Sequence, residues 1–445
     1  MLKVNSKKVE KGDTFIALKS VVRDGHDYIQ DAIDHGAVCV IAERGEYGVK
    51  TIIVKDTRKY LADYLRELYQ EKLSKVKLIG ITGTNGKTTS SYFIYQLLNG
   101  LGTKTAYIGT IGFYLNGKSR PLKNTTPDLY DLYEMMIEAV NNDVSVIVME
   151  VSSQALDMRR VEGICFDVAI FTNLTEDHLD YHKTMGEYKQ AKQKLFANVK
   201  DFAIINMDAK DANDFIFEKN KNVLFGIKNY EYKIGSIRLS EKATIFKVSH
   251  AGEVREVVLP IPGIYNIHNY MNAYIICDKF GFNMDLVIQD TLNLKSPKGR
   301  YEVIKGRVIV DYAHTPDAVK NIIKSVLQYS KGRVITLIGL GGDRDKKKRP
   351  MIGKIVTNYS DHVYFTNDNP RTEDPNEIIN DILKNVEKDN YEVILDREDA
   401  IKKAISNLKK DDILLVLGKG HENYQIIGKE KFPFNDTDVV KKYLK

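Results

Sequence analysis

The sequence predicts an α/β fold spread over more than one domain, and three observations carry that expectation. Its 445 residues exceed the ~250 to 300 at which a single hydrophobic core stops growing. Short apolar runs recur along it, each closing on glycine or polar residues and giving way to a helical pattern, as strands buried on both faces of a parallel sheet do. With 43% hydrophobic and 28% charged residues, the chain has enough apolar surface for a sizeable core and lacks the signature of disorder.

The first part of the chain reads as a small α/β unit. It has a strand TFIALKS from Thr14 to Ser20, a helix YIQDAIDHG from Tyr28, a buried strand AVCVIAE from Ala37 and a strand TIIVKD from Thr51. Leu61, Tyr64, Leu65, Leu68 and Tyr69 fall at i, i+3, i+4, i+7 and i+8, which predicts a helix over Thr57 to Lys75 that closes this unit. From Val76 the runs VKLIGITG, VSVIVMEV, VAIFTN and FAIIN are too short for most helices and predict strands of a doubly wound middle domain. A polar stretch with β alternation, about Tyr230 to Pro262, interrupts them as a small antiparallel appendage. After the turn Pro297-Lys298-Gly299, a third set of strand-turn-helix units begins with VIVDYAHTPDAVKNIIKSV and ends with DILLVLGKGHENY. In open α/β sheets ligands bind beyond the carboxyl ends of the strands, so functional residues are expected there.

Charge and cysteine usage narrow the function classes. Sixty-six basic against 60 acidic residues leave a net charge of +6, too little to announce a nucleic-acid or membrane partner. Cys39, Cys165 and Cys277 are far apart, which supports neither a disulfide framework nor a thiolate zinc site. There is no signal-peptide apolar core and no apolar run of about 18 residues. A cytoplasmic protein without a membrane span is expected.

The strongest local signal is GITGTNGKTT, Gly80 to Thr89, between a strand and a helix. Such a turn aims backbone N–H groups and a helix N-terminus at an anion; Lys87 adds a cation for β/γ-phosphate oxygens and Thr88 a hydroxyl for Mg²⁺. The usual spacing puts glycine at position 81, where this chain has Ile81, flanked by Gly80 and Gly83. An ATP or GTP site is expected. Glu150, ending VSVIVME, reads as a Mg²⁺ carboxylate, with a solvated strand-end glutamate as the plain alternative. His178, in TNLTEDHLDYH, reads as a further ligand or as a loop hydrogen-bonder.

Together these residues resemble the Mur ligases, ATP-dependent amide-forming enzymes of peptidoglycan precursor synthesis, most closely their MurE-type members. GTNGKTT, MEVSSQAL, TNLTEDHLDYH, QAKQKLF, DYAHTPDA, GGDRDKKKRP, DNPRTEDP and GKGHE occur in the family's order across the whole chain. The resemblance implies three domains: residues 1–75 binding the uridine nucleotide, a central P-loop parallel sheet over 76–297, and a Rossmann-like amino-acid-binding domain over 298–445. It implies ATP as co-substrate and Mg²⁺ held by Thr88 and Glu150, with Glu150, His178 and Lys192 serving a second ion. Lys192 stands where the family carries a lysine carbamylated by CO₂; a surface lysine beside Lys189 and Lys194 is the competing reading.

The same resemblance assigns Lys87, Lys192 and His178 to catalysis. It gives ATP to Gly83, Thr84, Asn85, Gly86, Lys87, Thr88 and Thr89, to the adenine-side Asn266 and Asn269, and to Arg300, Asp311 and Tyr312. The two groups come from different domains, so closure would assemble the site. Thr125, Thr126, Ser152, Arg160 and His314 would hold the sugar-peptide, with Met158 where many relatives have glutamine. Ser6 and His26 are candidate uridine contacts.

DNPR implies the amine. Arg371 would pair with the second carboxylate of meso-diaminopimelate, which L-lysine lacks, with Arg344, Asn369, Gly418 and Glu422 completing the pocket. A buried carboxylate without its arginine would cost several kcal/mol, so one residue can discriminate. The KKKR run, Lys346 to Arg349, is expected as a solvated turn beside this pocket. The resemblance thus implies small-molecule partners and a monomer. The rivals are the same chemistry with L-lysine or another diamine, a folylpolyglutamate synthetase, and a non-catalytic nucleotide-gated module. Joint presence of Lys87, Thr88, Glu150, His178 and Lys192 argues against the last.

Overall fold

The computed structural model describes residues 1–19 and 23–444; Ser20, the last residue of the expected TFIALKS strand, lies outside them. Among the described residues three larger sheets succeed one another along the chain, followed by a two-stranded hairpin. The first has four parallel strands in sequence order: Leu2–Lys3, Thr14–Ile16, Cys39–Ala42 and Lys50–Ile53. The helix Thr57–Leu73 starts where the Asp56 carboxylate accepts from the Lys59 N–H. It does more than close this unit. Leu61, Ala62 and Leu65 pack in one apolar cluster with Leu129, Leu132 and Met136 of the next unit, so the helix seals the two together.

The second sheet has eleven strands. Its parallel centre runs Tyr232–Leu239, Asn222–Gly226, Val199–Asn206, Phe166–Phe171, Lys77–Thr82, Val146–Glu150 and Thr105–Gly109. Four of these are the expected apolar runs, Phe166–Phe171 and Val146–Glu150 being buried at every position; Thr105–Gly109 and Asn222–Gly226 are strands that the reading above lacks. The stretch expected as an antiparallel appendage instead continues the sheet: Tyr232–Leu239 pairs parallel with Asn222–Gly226, then antiparallel with Thr244–His250, which pairs with Glu253–Leu259. At the opposite edge, Gly112–Leu115 and Lys118–Arg120 form a hairpin that the reading above lacks. Leu115 pairs with Lys118 across Asn116-Gly117, both with positive φ (50° and 74°). Asn-Gly between strands is the strongest short hairpin signal, because a tight turn matching strand twist needs positive φ at both central residues.

The third sheet orders Glu302–Ile304, Val308–Asp311, Ile413–Leu417, Val334–Ile338, His362–Phe365 and Tyr391–Val393, all parallel except the first pair. Beneath its carboxyl ends sits a fully buried pair. The Arg397 guanidinium donates to both oxygens of Asp436 at 2.8 Å and to the carbonyls of Asn367 and Leu417. Asp436→Ala would strand that cation, a loss of roughly 3 to 5 kcal/mol. The expected result is a lower urea midpoint with unchanged m; a shift within 1 kcal/mol of wild type would contradict it.

Candidate active site

The strand Lys77–Thr82 delivers its chain into Gly83-Thr84-Asn85-Gly86, and the helix Lys87–Gly100 follows. Two glycines are steric requirements. Gly83 has φ 151°, and a Cβ there would lie 1.9 Å from Thr172 Oγ1; Gly86 has φ 85°, and a Cβ would meet Asn269 Oδ1 at 2.3 Å. The strand-end loop Thr172-Asn173 braces the turn: Asn173 accepts from the Thr84 and Asn85 N–H groups, and Thr172 donates to the Asn85 carbonyl at 2.7 Å. The Lys87 ammonium lies across the turn, donating to the carbonyls of Gly83 and Thr84. Burial lowers its pKa, against the opposing pull of Glu150 and Asp177.

Glu150 ends its strand with no exposed surface, which removes the solvated alternative. Four donors fix its carboxylate: Thr88 Oγ1 at 2.9 Å, Tyr107 Oη at 2.5 Å, and the Thr110 N–H and Oγ1 at 2.8 and 3.0 Å. A Thr hydroxyl touching a carboxylate oxygen is a donor set that suits a hard cation keeping waters and phosphates as its other ligands. Among the described residues no group of three or more His, Cys, Asp or Glu could hold a metal.

Lys192, on the helix Met185–Gln193, is 1% exposed. The surface-lysine reading therefore fails for it, while Lys189 and Lys194 do pair outside with Asp214 and Asp157. Its ammonium donates to the Gly83 carbonyl at 2.8 Å and stands 4.4 Å from the Tyr188 ring centre. Burial, reinforced by Lys87, drives its pKa well below the lysine range, with only Asp177 opposing. His178 adopts φ 56°. Burial takes its pKa down to about 4 despite Asp177, with Lys192 and Lys87 adding to the fall, so its imidazole is neutral at pH 7.

Asp177 is the functional candidate that the motif reading passed over. Burial would raise its pKa, yet His314, His178 and Lys348 hold it well below the carboxylate range. His178 Nε2, Lys348 Nζ and His314 Nε2 stand 3.5, 3.6 and 3.7 Å from its oxygens. Only the fold brings 177, 314 and 348 together. The KKKR expectation is corrected by the same contacts. The helix Lys348–Tyr359 begins inside that run and turns Arg349 inward, 1% exposed between Glu373 and Asp381, while Lys348 reaches Asp177.

Two cavities, of about 1110 and 790 Å³, share Thr110, Thr125, Asp177, His178, Tyr312, His314 and Arg344, and so form one cleft. The larger takes in Thr84 to Thr89, Glu150, Ser152, Arg160, Asn269, Arg300 and Asp311. Arg300 lies 4.2 Å over the Tyr312 ring and reaches Thr88 Oγ1 at 3.4 Å, so residues of the second and third units already meet. Asp311 accepts from the Tyr301 and Ala313 N–H groups, and burial raises its pKa despite Arg300. Ser152 caps the short helix Ser153–Asp157, and Arg160 donates to the Thr126 carbonyl and touches Met158 Sδ at 3.4 Å. Thr315 caps the helix Pro316–Leu327 that follows His314.

The smaller cavity takes in Asn369, Arg371, Gly418 and Glu422. Arg371 has φ 54°, and its backbone pairs with the hairpin Tyr424–Ile427/Glu430–Pro433. Its guanidinium donates to the Gly342 carbonyl at 2.7 Å and, among the described residues, makes no ion pair. Gly83, Thr126, Lys192 and Asn266 lie behind the walls rather than on them. Asn266 donates to the Pro262 carbonyl and accepts from Asn269. Ser6 and His26 are elsewhere: His26 is buried in the first unit, one ring nitrogen on Asp24 and the other accepting from the Glu43 N–H.

Residues 81–277 match the Mur ligase middle domain, 299–420 the Mur ligase, glutamate ligase domain, and 1–69 the Mur ligase family, catalytic domain. The chain is 41% identical to the UDP-N-acetylmuramoyl-L-alanyl-D-glutamate--2,6-diaminopimelate ligase of Caldanaerobacter subterraneus, over 99% of this chain and 93% of that one. It is 40% identical to the same-named enzyme of Bacillus cereus over the same shares. A solved structure of an enzyme of that name superimposes with TM-score 0.73 at 30% identity, covering 100% of this chain and 94% of the other. The MurF ligase of Thermotoga maritima in complex with ADP shares the fold, with TM-score 0.69 at 21% identity, covering 100% and 96%. With all three parts matched and relatives alike from end to end, the chain belongs to the Mur ligase family.

Proposed function

We propose that this ligase joins meso-diaminopimelate to the D-Glu γ-carboxylate of UDP-MurNAc-L-Ala-D-Glu with consumption of ATP, in peptidoglycan precursor synthesis. The observation that carries the amine assignment is Arg371, a guanidinium free of carboxylate partners among the described residues, in a cavity shared with Arg344, Asn369 and Glu422. The names of the relatives in Caldanaerobacter and Bacillus support the same reading.

A carboxylate resists attack by an amine because it is a poor electrophile and oxide is a poor leaving group. The γ-phosphoryl of ATP moves to the substrate carboxylate, the neutral amine attacks the acyl phosphate, and the tetrahedral adduct collapses to amide and phosphate. The N–H groups of 83–89, with Lys87, hold the phosphates. Asn269, Arg300, Asp311 and Tyr312 position the nucleoside, Asn266 acting through its hydrogen bond to Asn269. Thr125, Ser152, Arg160 and His314 hold the sugar-peptide acid, Thr126 acting from behind through its hydrogen bonds with Ser152 and Arg160, and Ser6 and His26 belong to the uridine side.

Thr88, Glu150, His178 and Lys192 would hold magnesium, which when bound offsets the anionic charge that gathers on the phosphates. Neutral His178 keeps a lone pair for it. Burial holds the Lys192 pKa well below the lysine range, which favours the neutral amine that can add to CO₂ with loss of one proton, giving the carbamate oxygens that an ammonium lacks. The division into 1–75, 76–297 and 298–445, a monomeric state and a cytoplasmic location belong to the same reading.

Phosphate release from ATP, Mg²⁺ and UDP-MurNAc-dipeptide, measured with meso-diaminopimelate, L-lysine or no amine, tests it. Release that needs no amine, or none with any, would remove the ligase assignment; preference for L-lysine would remove the amine alone. Tyr107→Phe tests the support of Glu150. The ring keeps its packing and one of four donors is lost, so the Mg²⁺ concentration for half-maximal rate should rise about tenfold with the amine KM unchanged. Identical Mg²⁺ titrations would show the phenol to be dispensable.

A further inference from the structure

The end of the cleft that takes the amine contains a charge not accounted for above. Lys419, in GKGHE, is fully buried and lies behind the cavity wall rather than on it. Its ammonium donates to Glu422 Oε2 at 3.1 Å and to Asn369 Oδ1 at 3.1 Å, and stands 3.8 Å from Asp368 Oδ1. Asn369 closes the triangle, its amide N–H donating to Glu422 Oε2 at 2.8 Å. One buried cation thus joins the two loops that build the pocket, one from 368–371 and one from 418–422.

The placement fixes the pocket's charge as well as its shape. Arg344, Arg371, Asp368 and Glu422 all line the smaller cavity beside Tyr424. With Lys419 they make three cations against two carboxylates, a surplus of one positive charge. An amine must lose its proton before it can attack. In that state diaminopimelate has two carboxylates and one ammonium, net −1, whereas L-lysine has one of each, net zero. Without Lys419 these four groups would balance, and this end of the cleft would favour the anion less.

We propose that Lys419 is a positioning residue that sets amine selectivity, holding Glu422 and Asn369 in place and supplying the surplus positive charge that favours a dicarboxylate amine over a monocarboxylate one. The inference rests on the amine proposed above and adds the residue behind the pocket that tunes it.

The test is the ratio of kcat/KM for meso-diaminopimelate to that for L-lysine in wild type, Lys419→Met, Glu422→Gln and the double variant. These carry surpluses of one, zero, two and one positive charge. The ratio should be highest in Glu422→Gln, equal within about threefold in wild type and the double variant, and lower by about tenfold, the equivalent of 1.4 kcal/mol, in Lys419→Met. The KM for ATP should stay constant throughout. The double variant removes Glu422, the carboxylate nearest Lys419, and leaves Asp368 as the one acid facing the lost cation, so it supplies the comparison with Glu422→Gln even if Lys419→Met does not fold. Parallel loss for both amines, or any other order, overturns the proposal. Wild type preferring L-lysine would instead overturn the amine assignment.

Discussion

Arg371→Ala is expected to raise the KM for meso-diaminopimelate by roughly 30-fold to several-thousand-fold, the equivalent of about 2 to 5 kcal/mol for removing one partner of a buried charge pair. The KM for ATP should not change. The guanidinium sits in the smaller cavity and the phosphate turn lines the larger one, so the two bindings have no shared contact at Arg371. Use of L-lysine, which brings no second carboxylate, should fall far less. Steady-state kinetics with both amines measures this, and weakened ATP binding with unchanged amine use would contradict it. Arg371→Lys should recover only part of the loss, because a point charge does not reproduce the two parallel donors of the fork.

Lys192→Met is expected to lower kcat by about 10²-fold or more, on the scale of losing one preorganised electrostatic group, without lowering the melting temperature. The two readouts separate chemistry from architecture. An ammonium at 1% exposure, facing a carbonyl and a ring face rather than a carboxylate, is costly to bury, so replacing it with an apolar chain of similar length removes a penalty. A residue that burdens the fold and is needed for turnover is held there by its chemistry. Short carboxylates added to Lys192→Ala should restore part of the rate by supplying the missing oxygens. Full activity of Lys192→Ala without additives would remove the carbamate from the mechanism.

The parts legible in the sequence were those encoded by local spacing. The phosphate turn, the strand ending on Glu150 and the apolar runs of both large sheets depend on neighbours a few residues away, and the structure has them where the patterns put them. The Asn116-Gly117 hairpin was equally local and was missed because its strands are only three and four residues long and one of them is exposed throughout. Burial of charged side chains was not legible. KKKR reads as four solvated cations, yet Arg349 is interior because a helix starts within the run. Asp177 and Lys419 depend on contacts across 137 to 171 and 50 to 51 positions of chain, which no spacing rule reaches. Asn266 shows the reverse case, a motif residue placed one step behind the wall it was expected to form.

Asp177 lies on the seam between the second and third units, with His178 from its own side and His314 and Lys348 from the other. Parting the two units would strip this sunken anion of two of its three basic neighbours and require water to take their place. Opening of the cleft is therefore opposed by the desolvated anion itself, and because Asp177 and Lys348 lie largely out of water, dissolved salt should weaken that hold only slightly.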